Sequence, residues 1–402
     1  MPPASAPAPR RPVPPLFALR GPGESDPLRL RVRRWLTEHP APSGAQLLDA
    51  GYLVPHWPAP WGWAASGADL QVISSELSRA GVALPGFPLS RGYIGPLILT
   101  TGTQRQRDRY LRRLLTGEEI WCQLFSEPEA GSDLAALRTR ARRDGGGYLV
   151  DGTKIWTTHG HLAQFGLLLA RTDPAAGQHQ GISCFICPMD APGLTLQPIY
   201  DMAGEHKWNL THFDQVRLGP EHLIGAENDG WRIARGVLAN ERMSMSADTG
   251  LAWGNGPSYR DLLGAARLRT SGAGLSPGLR ARVARGYSRE LALHVLRTQA
   301  LGQVSPEARG GVVPEVRRTV SDQHGQQMLE LWRDLHGPAG VAARPGRAAD
   351  AFASYYFFAR ALTLGGGTAE IQRNVLAERI LGLPREAAWP AHPAGSRTEG
   401  GR

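Results

Sequence analysis

Apolar residues recur at helical spacing through the first quarter of the chain, change to short strand-like runs in the second, and return to helical spacing for the remainder. Leu30–Glu38, Asp69–Ala80 and Arg105–Leu115 carry the early helical pattern, broken by a loop rich in proline and tryptophan, His56 to Trp63. The third of these helices should stop at Thr116-Gly117, because glycine closes a helix without a Cβ penalty. Between Trp121 and about Gly225 lie Gly147–Gly152, Phe165–Arg171, Gly181–Met189 and Leu194–Ile199, separated by Gly, Asp and Pro. With Asp151-Gly152 read as a turn, these runs predict a small antiparallel β domain. After Asp229-Gly230-Trp231 the helical candidates are Trp231–Ala247, Leu279–Ala300, Glu315–Leu335, Ala348–Leu364 and Ala369–Leu381, joined loosely at Thr270–Gly278. They predict an antiparallel bundle. The expected organisation is an α+β chain: a disordered tail (1–27), an N-terminal helical domain (28–120), a middle β domain (121–225), a C-terminal helical bundle (226–388) and a disordered tail (389–402).

Composition narrows the classes. The 402 residues are 42% hydrophobic and 20% charged, close to a globular average. No apolar run reaches the roughly 18 residues that a membrane-crossing helix needs, and residues 1–27 lack the apolar segment of a secretory signal. Three cysteines and no signal point to a reduced, cytoplasmic setting. The net charge of +9 comes almost wholly from arginine, with Lys154 and Lys207 the only lysines. The arginines are scattered rather than clustered with aromatics, which argues against nucleic acid and leaves a polyanionic small molecule open.

Several chemistries drop out. There is no phosphate-binding GxxxxGK[ST], no HExxH and no GxSxG. Gly365-Gly366-Gly367 does not follow a strand in a βαβ unit. His159-Gly160-His161 lacks a third ligand at metal-binding spacing. Cys184 and Cys187 sit three apart in a strand-like run, so their thiols face opposite sides. No metal site is expected.

Two segments carry positive chemistry. In Trp121–Leu134, Ser126 and Ser132 offer hydroxyls, and Ala130-Gly131-Ser132 lets backbone N–H groups approach a ligand. In Asp151–Thr158, Trp156 and Thr158 fall at i and i+2, on one face if the segment is a strand. A planar apolar surface with a hydroxyl beside it suits a ring heterocycle that accepts a hydride. An ordinary β domain with a core tryptophan and strand-ending serines accounts for the same residues equally well.

These segments resemble the acyl-CoA dehydrogenase family. Phe125-Ser126-Glu127-Pro128 with Gly131-Ser132-Asp133 is similar to its first signature, and Lys154-Ile155-Trp156-Thr157-Thr158 to its flavin segment. Gly367-Thr368-Ala369-Glu370-Ile371-Gln372-Arg373-Asn374 resembles the second signature, followed by the family-like ending Glu378 to Arg385. The three occur in the family's order, and the resemblance spans about Leu28 to Arg385. It implies FAD as cofactor, contacted by Phe125, Ser126, Gly131 and Ser132, with Ser132 also near the coenzyme A arm. It implies Trp156 stacked on the isoalloxazine, Thr158 donating near N5, and Thr368 and Glu370 near the phosphates and adenosine, in many members across a subunit interface.

The implied reaction needs a carboxylate to take an α-proton while hydride leaves Cβ. Many members place it two residues before the threonine of the second signature, where this chain has Gly366. A second family arrangement uses an E-R pair shortly after a G-W segment, matched by Gly230-Trp231 and Glu241-Arg242. Glu241 is thus the candidate base and Arg242 a candidate substrate-site residue. The family's R-x-Q-F-G segment is not recognisable, and Q-x-x-G-G-x-G is reduced to Asp334–Gly340. The expectation is an FAD-dependent dehydrogenase of an acyl-CoA or acyl-carrier thioester, leaning to bulky steroid-derived acyl groups. It would pass electrons to an electron-transfer flavoprotein and work in a homo- or hetero-oligomer. The alternatives are a half-site partner subunit and a flavin oxidase or monooxygenase.

Overall fold

The computed structural model describes residues 23–86, 90–247, 259–269, 274–301, 312–337 and 354–385. Both predicted tails lie essentially outside these residues, as do the Thr270–Gly278 connection over 270–273 and the first part of the Ala348–Leu364 helix. The chain enters at α1 (Pro27–Glu38), capped by Asp26, whose side chain accepts from Arg29 N. Helices α2 (Gly44–Asp49), α3 (Gly67–Arg79), α4 (Gly95–Thr101) and α5 (Gln104–Thr116) follow. Ser43, Ser66 and Thr103 each form a capping box at the start of α2, α3 and α5, which satisfies N–H groups the helix cannot bond itself. Helix α5 ends at Gly117 with φ 80°, the stop expected from sequence.

Among the described residues the middle of the chain forms one sheet of eight strands: β1 (Trp121–Leu124), β2 (Arg140–Asp144), β3 (Gly147–Lys154), β4 (Phe165–Arg171), β5 (Ile182–Pro188), β6 (Leu194–Tyr200), β7 (His206–Leu218) and β8 (Leu223–Ile224). The order is β6-β7-β3-β2-β4-β5-β8, with β1 paired to β4. The sheet is mixed, which corrects the purely antiparallel expectation: β1 and β2 both run parallel to β4. Long connections, not hairpins, join those pairs, so local turn signals do not reveal them. Asp151-Gly152 is not a turn but an irregularity inside β3, with Gly152 at φ 148°. A Cβ there would meet Thr139 Oγ1 at 2.5 Å, so glycine serves close approach rather than chain reversal.

One sheet face joins the N-terminal helices in a common core, and the other closes over its own. Cys184 lies in the first core and Cys187 in the second, as strand alternation requires. Beyond the sheet run α6 (Gly230–Ala247), α7 (Tyr259–Arg269), α8 (Pro277–Leu301) and α9 (Val312–His336). Helix α7 had no counterpart in the sequence reading; it packs Leu262, Ala265 and Ala266 against Val283, Met328 and Leu331. A short helix, α10 (Ala369–Val375), carries the second signature.

Candidate active site

The first two signature segments are bolted together by a buried ion pair. Lys154, fully buried at the end of β3, donates from Nζ to Glu127 Oε1 at 2.8 Å and to the Phe125 carbonyl at 2.9 Å. Glu127 also accepts from the backbone N–H groups of Arg138 at 2.6 Å and Thr139 at 2.9 Å. Ile155 N donates to the Ser126 carbonyl at 2.9 Å. Burial alone would raise the Glu127 carboxyl, but the Lys154 charge and these donors outweigh it and hold it below its usual 4.5. Burial pushes Lys154 down to about 8, against the pull of Glu127. Neither residue had been assigned a role from sequence; the signal was their place inside the two signatures.

The chain leaves β3 abruptly. Trp156 takes φ 59°, so Trp156 and Thr158 lie past the strand end rather than on it, which corrects the shared-face expectation. The left-handed kink turns the indole outward: it is 55% exposed and meets Trp208 edge-on at 6.1 Å. Thr157 stays buried, bonded to Thr211 Oγ1 at 3.0 Å and held to Asn209 by backbone bonds of 3.0 and 3.1 Å. Thr158 Oγ1 lies 3.4 Å from the Trp156 carbonyl. Phe125 is buried, Ser126 half-buried, and Gly131 and Ser132 exposed. A Cβ built on Gly131 would meet nothing within 4 Å. The structure thus brings Phe125 and Ser126 beside the segment that presents Trp156.

Thr368 and Glu370 bond within their own segment. Thr368 caps α10, accepting from Ile371 N at 3.3 Å, and Glu370 meets Arg373 at 3.4 Å. Gly366 and Gly367 precede them at φ 69° and 96°, a conformation that disfavours a side-chain-bearing residue. Buried Arg318 of α9, another residue the sequence reading missed, supports this loop by donating to the Gly365 carbonyl at 2.7 Å and pairing with Asp322 at 2.8 Å. Gln372, buried, donates to the Gly366 carbonyl at 3.1 Å, while its Oε1 has no partner among the described residues.

Glu241 lies on α6, four, seven and eight residues after Val237, Ala234 and Ile233, and so on the face that packs into the N-terminal core. It is buried. The start of α6 is fixed on β5: a Cβ on Gly230 would meet the Ser183 backbone carbon at 2.6 Å, and Asn228 N donates to Ser183 Oγ at 2.7 Å. Opposite the helix stands a π turn, Ser90–Ile94, whose buried Tyr93 is raised well above its usual pKa by burial and then by the Glu241 charge. The Arg242 side chain lies outside the described residues.

Trp156 presents an exposed indole next to Thr158, and a Cβ on Gly131 would meet nothing within 4 Å, features that suit the flat ring of a flavin. At the glycine loop the orphaned Gln372 Oε1 is an acceptor that suits a hydroxyl of a dinucleotide. The fold is a three-part helix–sheet–helix arrangement with the first two signature segments joined at the end of β3. Models of the acyl-CoA dehydrogenase N-terminal, middle and C-terminal domains match residues 25–118, 122–216 and 228–381. The chain is 38% identical to acyl-CoA dehydrogenase FadE34 of Mycobacterium tuberculosis over 84% of its own length, spanning 46% of that protein. It is 32% identical to acyl-CoA dehydrogenase IpdE1 of the same organism, covering 92% of this chain and 93% of that one. A solved structure named Tcur3481-Tcur3483 steroid ACAD superposes with a TM-score of 0.74 at 28% identity, over 89% of this chain and 97% of that one. The ChsE4-ChsE5 complex from Mycobacterium tuberculosis gives 0.70 at 26% identity, over 89% and 97%. The chain belongs to the acyl-CoA dehydrogenase family. Among the described residues no helix is long and apolar enough to cross a membrane.

Proposed function

We propose that this chain is an FAD-dependent dehydrogenase that removes hydrogen across the Cα–Cβ bond of an acyl-CoA or acyl-carrier thioester, with Glu241 as the base. The observation that carries the reading is a carboxylate buried on the inward face of α6, among Ile233, Ala234 and Val237. A base for so weak a carbon acid works best in a site closed to bulk water, and the buried place of Glu241 on α6 supports that role. FAD, when bound, supplies the acceptor for the hydride leaving Cβ. Phe125, Ser126, Gly131, Ser132, Trp156 and Thr158 would hold its ring end, and Thr368 and Glu370 its phosphate and adenosine end. Ser132 and Arg242 would border the thioester. Gly366 offers no side chain at the position many relatives use for the base, so the proton must go elsewhere, and Glu241 is the buried acid on the matching segment.

The likeness to a protein named as a steroid ACAD supports a bulky, steroid-derived acyl group, and we infer an electron-transfer flavoprotein as acceptor and a cytoplasmic setting. The test is turnover by the flavin-loaded protein of steroid-side-chain and straight-chain acyl-CoAs, with a ferrocenium dye or with oxygen as acceptor. Dye-dependent turnover favouring the bulky thioesters is expected. Oxygen-dependent turnover would instead assign an oxidase, and no turnover with any thioester would overturn the reading. Two of the similar structures bear the names of two-component proteins, which favours a hetero-oligomer as the second reading. In that case the chain purified alone is colourless and gains flavin only when a partner subunit is co-expressed.

A further inference from the structure

Away from the acyl site, α8 and α9 border a half-open cavity of about 290 Å³, with Arg285 and Arg289 exposed at its rim. Its walls follow helical repeats: Arg282, Arg285 and Arg289 from α8 face His324, Gln327 and Met328 from α9. Gly286 lets the helices close, since a Cβ there would meet Met328 Sδ at 2.8 Å. Charge in this cavity is one-sided. Arg282 is paired with Asp334 at 2.6 Å, but Arg285 reaches only the Ala281 carbonyl, at 3.4 Å, and Arg289 bonds the Gln327 side-chain oxygen. Glu330, the one acid lining the cavity among the described residues, faces Arg360 at 3.7 Å. Like charges one turn apart oppose their own helix, and an anion between Arg285 and Arg289 would relieve that.

The second observation is His324. It is 1% exposed, it lines the cavity, and neither ring nitrogen has a hydrogen-bond partner among the described residues. Burial, helped by the Arg289 charge, holds its pKa down to about 4. The ring is therefore neutral at physiological pH, with one N–H to give and one nitrogen to accept. Buried polar atoms left unbonded are costly and mark a place where a partner belongs.

We propose that this cavity binds a phosphate-bearing small molecule, whose oxygens bridge Arg285 and Arg289 and accept from His324. Guanidinium groups match the geometry of phosphate oxygens, and a hydroxyl of the same ligand can donate to the other imidazole nitrogen. The apolar wall at Met328 suits an organic portion, so a phosphate ester fits better than the bare ion. The site is separate from the flavin and acyl segments and does not depend on their chemistry.

The test is isothermal titration of the flavin-loaded, full-length protein at low ionic strength with inorganic phosphate, pyrophosphate and ADP. Wild type is compared with R285Q/R289Q and with His324→Leu. The expected result is saturable binding, tightest for the ester or diphosphate, weakened at least about tenfold in both variants while the visible flavin spectrum stays unchanged. Should His324→Leu fail to fold, the variant at the exposed arginines decides alone. No saturable binding of any of the three, or equal affinity in R285Q/R289Q, would overturn the proposal. So would a smaller assembly for R285Q/R289Q in light scattering without ligand binding by wild type, which would assign these arginines to contact with a second copy.

Discussion

Replacing Lys154 by methionine keeps the length of the side chain and removes its charge and both of its bonds. The substitution deletes contacts of 2.8 Å to Glu127 and 2.9 Å to the Phe125 carbonyl and leaves Glu127 buried without its cation. Removing one member of a buried pair costs about 3–5 kcal/mol. Glu127 keeps the donors from Arg138 and Thr139, which solvate it in part, so the lower end, about 3 kcal/mol, applies here. Urea denaturation of wild type, Lys154→Met, Glu127→Gln and the double variant measures the coupling. The double variant should be more stable than Lys154→Met, because it removes the stranded charge. The pH dependence has a fixed sign. Glu127 is held below 4.5 in the folded state, so its contribution is present above that value and lost as pH falls through the lower folded one. The gap between wild type and Lys154→Met should therefore be full at pH 7 and narrow as pH falls through the lowered folded-state value of Glu127 and the carboxyl becomes protonated in both. A gap under about 1 kcal/mol at pH 7, or one that ignores pH, would refute the reasoning.

Other residues make separate predictions. Arg318→Met removes the pair with Asp322 and the bond to the Gly365 carbonyl; a loss of about 3–5 kcal/mol by denaturation is expected, with weaker flavin retention on gel filtration. Gly230→Ala drives a Cβ to within 2.6 Å of the Ser183 backbone. It should cost about 1–3 kcal/mol in melting experiments and lower turnover by displacing α6. Trp156→Ala removes an exposed indole, so stability should hold while flavin binding weakens about twofold to tenfold; an unchanged flavin affinity would contradict the assigned stacking.

The alternation of helical and strand periodicity was enough to read the α–β–α order, because each element's core face leaves its own period in the chain. The run Phe165–Arg171 matches its strand to the residue, since polar Gln164 and Arg171-Thr172 bound an apolar stretch. What was lost depended on distance or on single backbone angles. Lys154 and Glu127 stand 27 residues apart, and no local pattern pairs them. The kink at Trp156 rests on one φ value, so a strand-like stretch reads on past its true end. Asp151-Gly152 has the composition of a hairpin turn, yet Thr139 crowding decides its use. Strand β7 runs over 13 positions and alternates buried and less buried residues through much of its length, but histidine, asparagine and aspartate dilute its apolar signal in the sequence. His324 and the arginines facing it come from helices that pack only in three dimensions.

The most direct measurement of the central claim is the anaerobic visible spectrum of the flavin-loaded protein on adding acyl-CoA thioesters, for wild type and Glu241→Gln. The account predicts bleaching in wild type and a rate about 10²–10⁴-fold lower in the variant, with the oxidised spectrum of both alike before substrate is added. Bleaching at an undiminished rate in Glu241→Gln would contradict the account and place the base elsewhere.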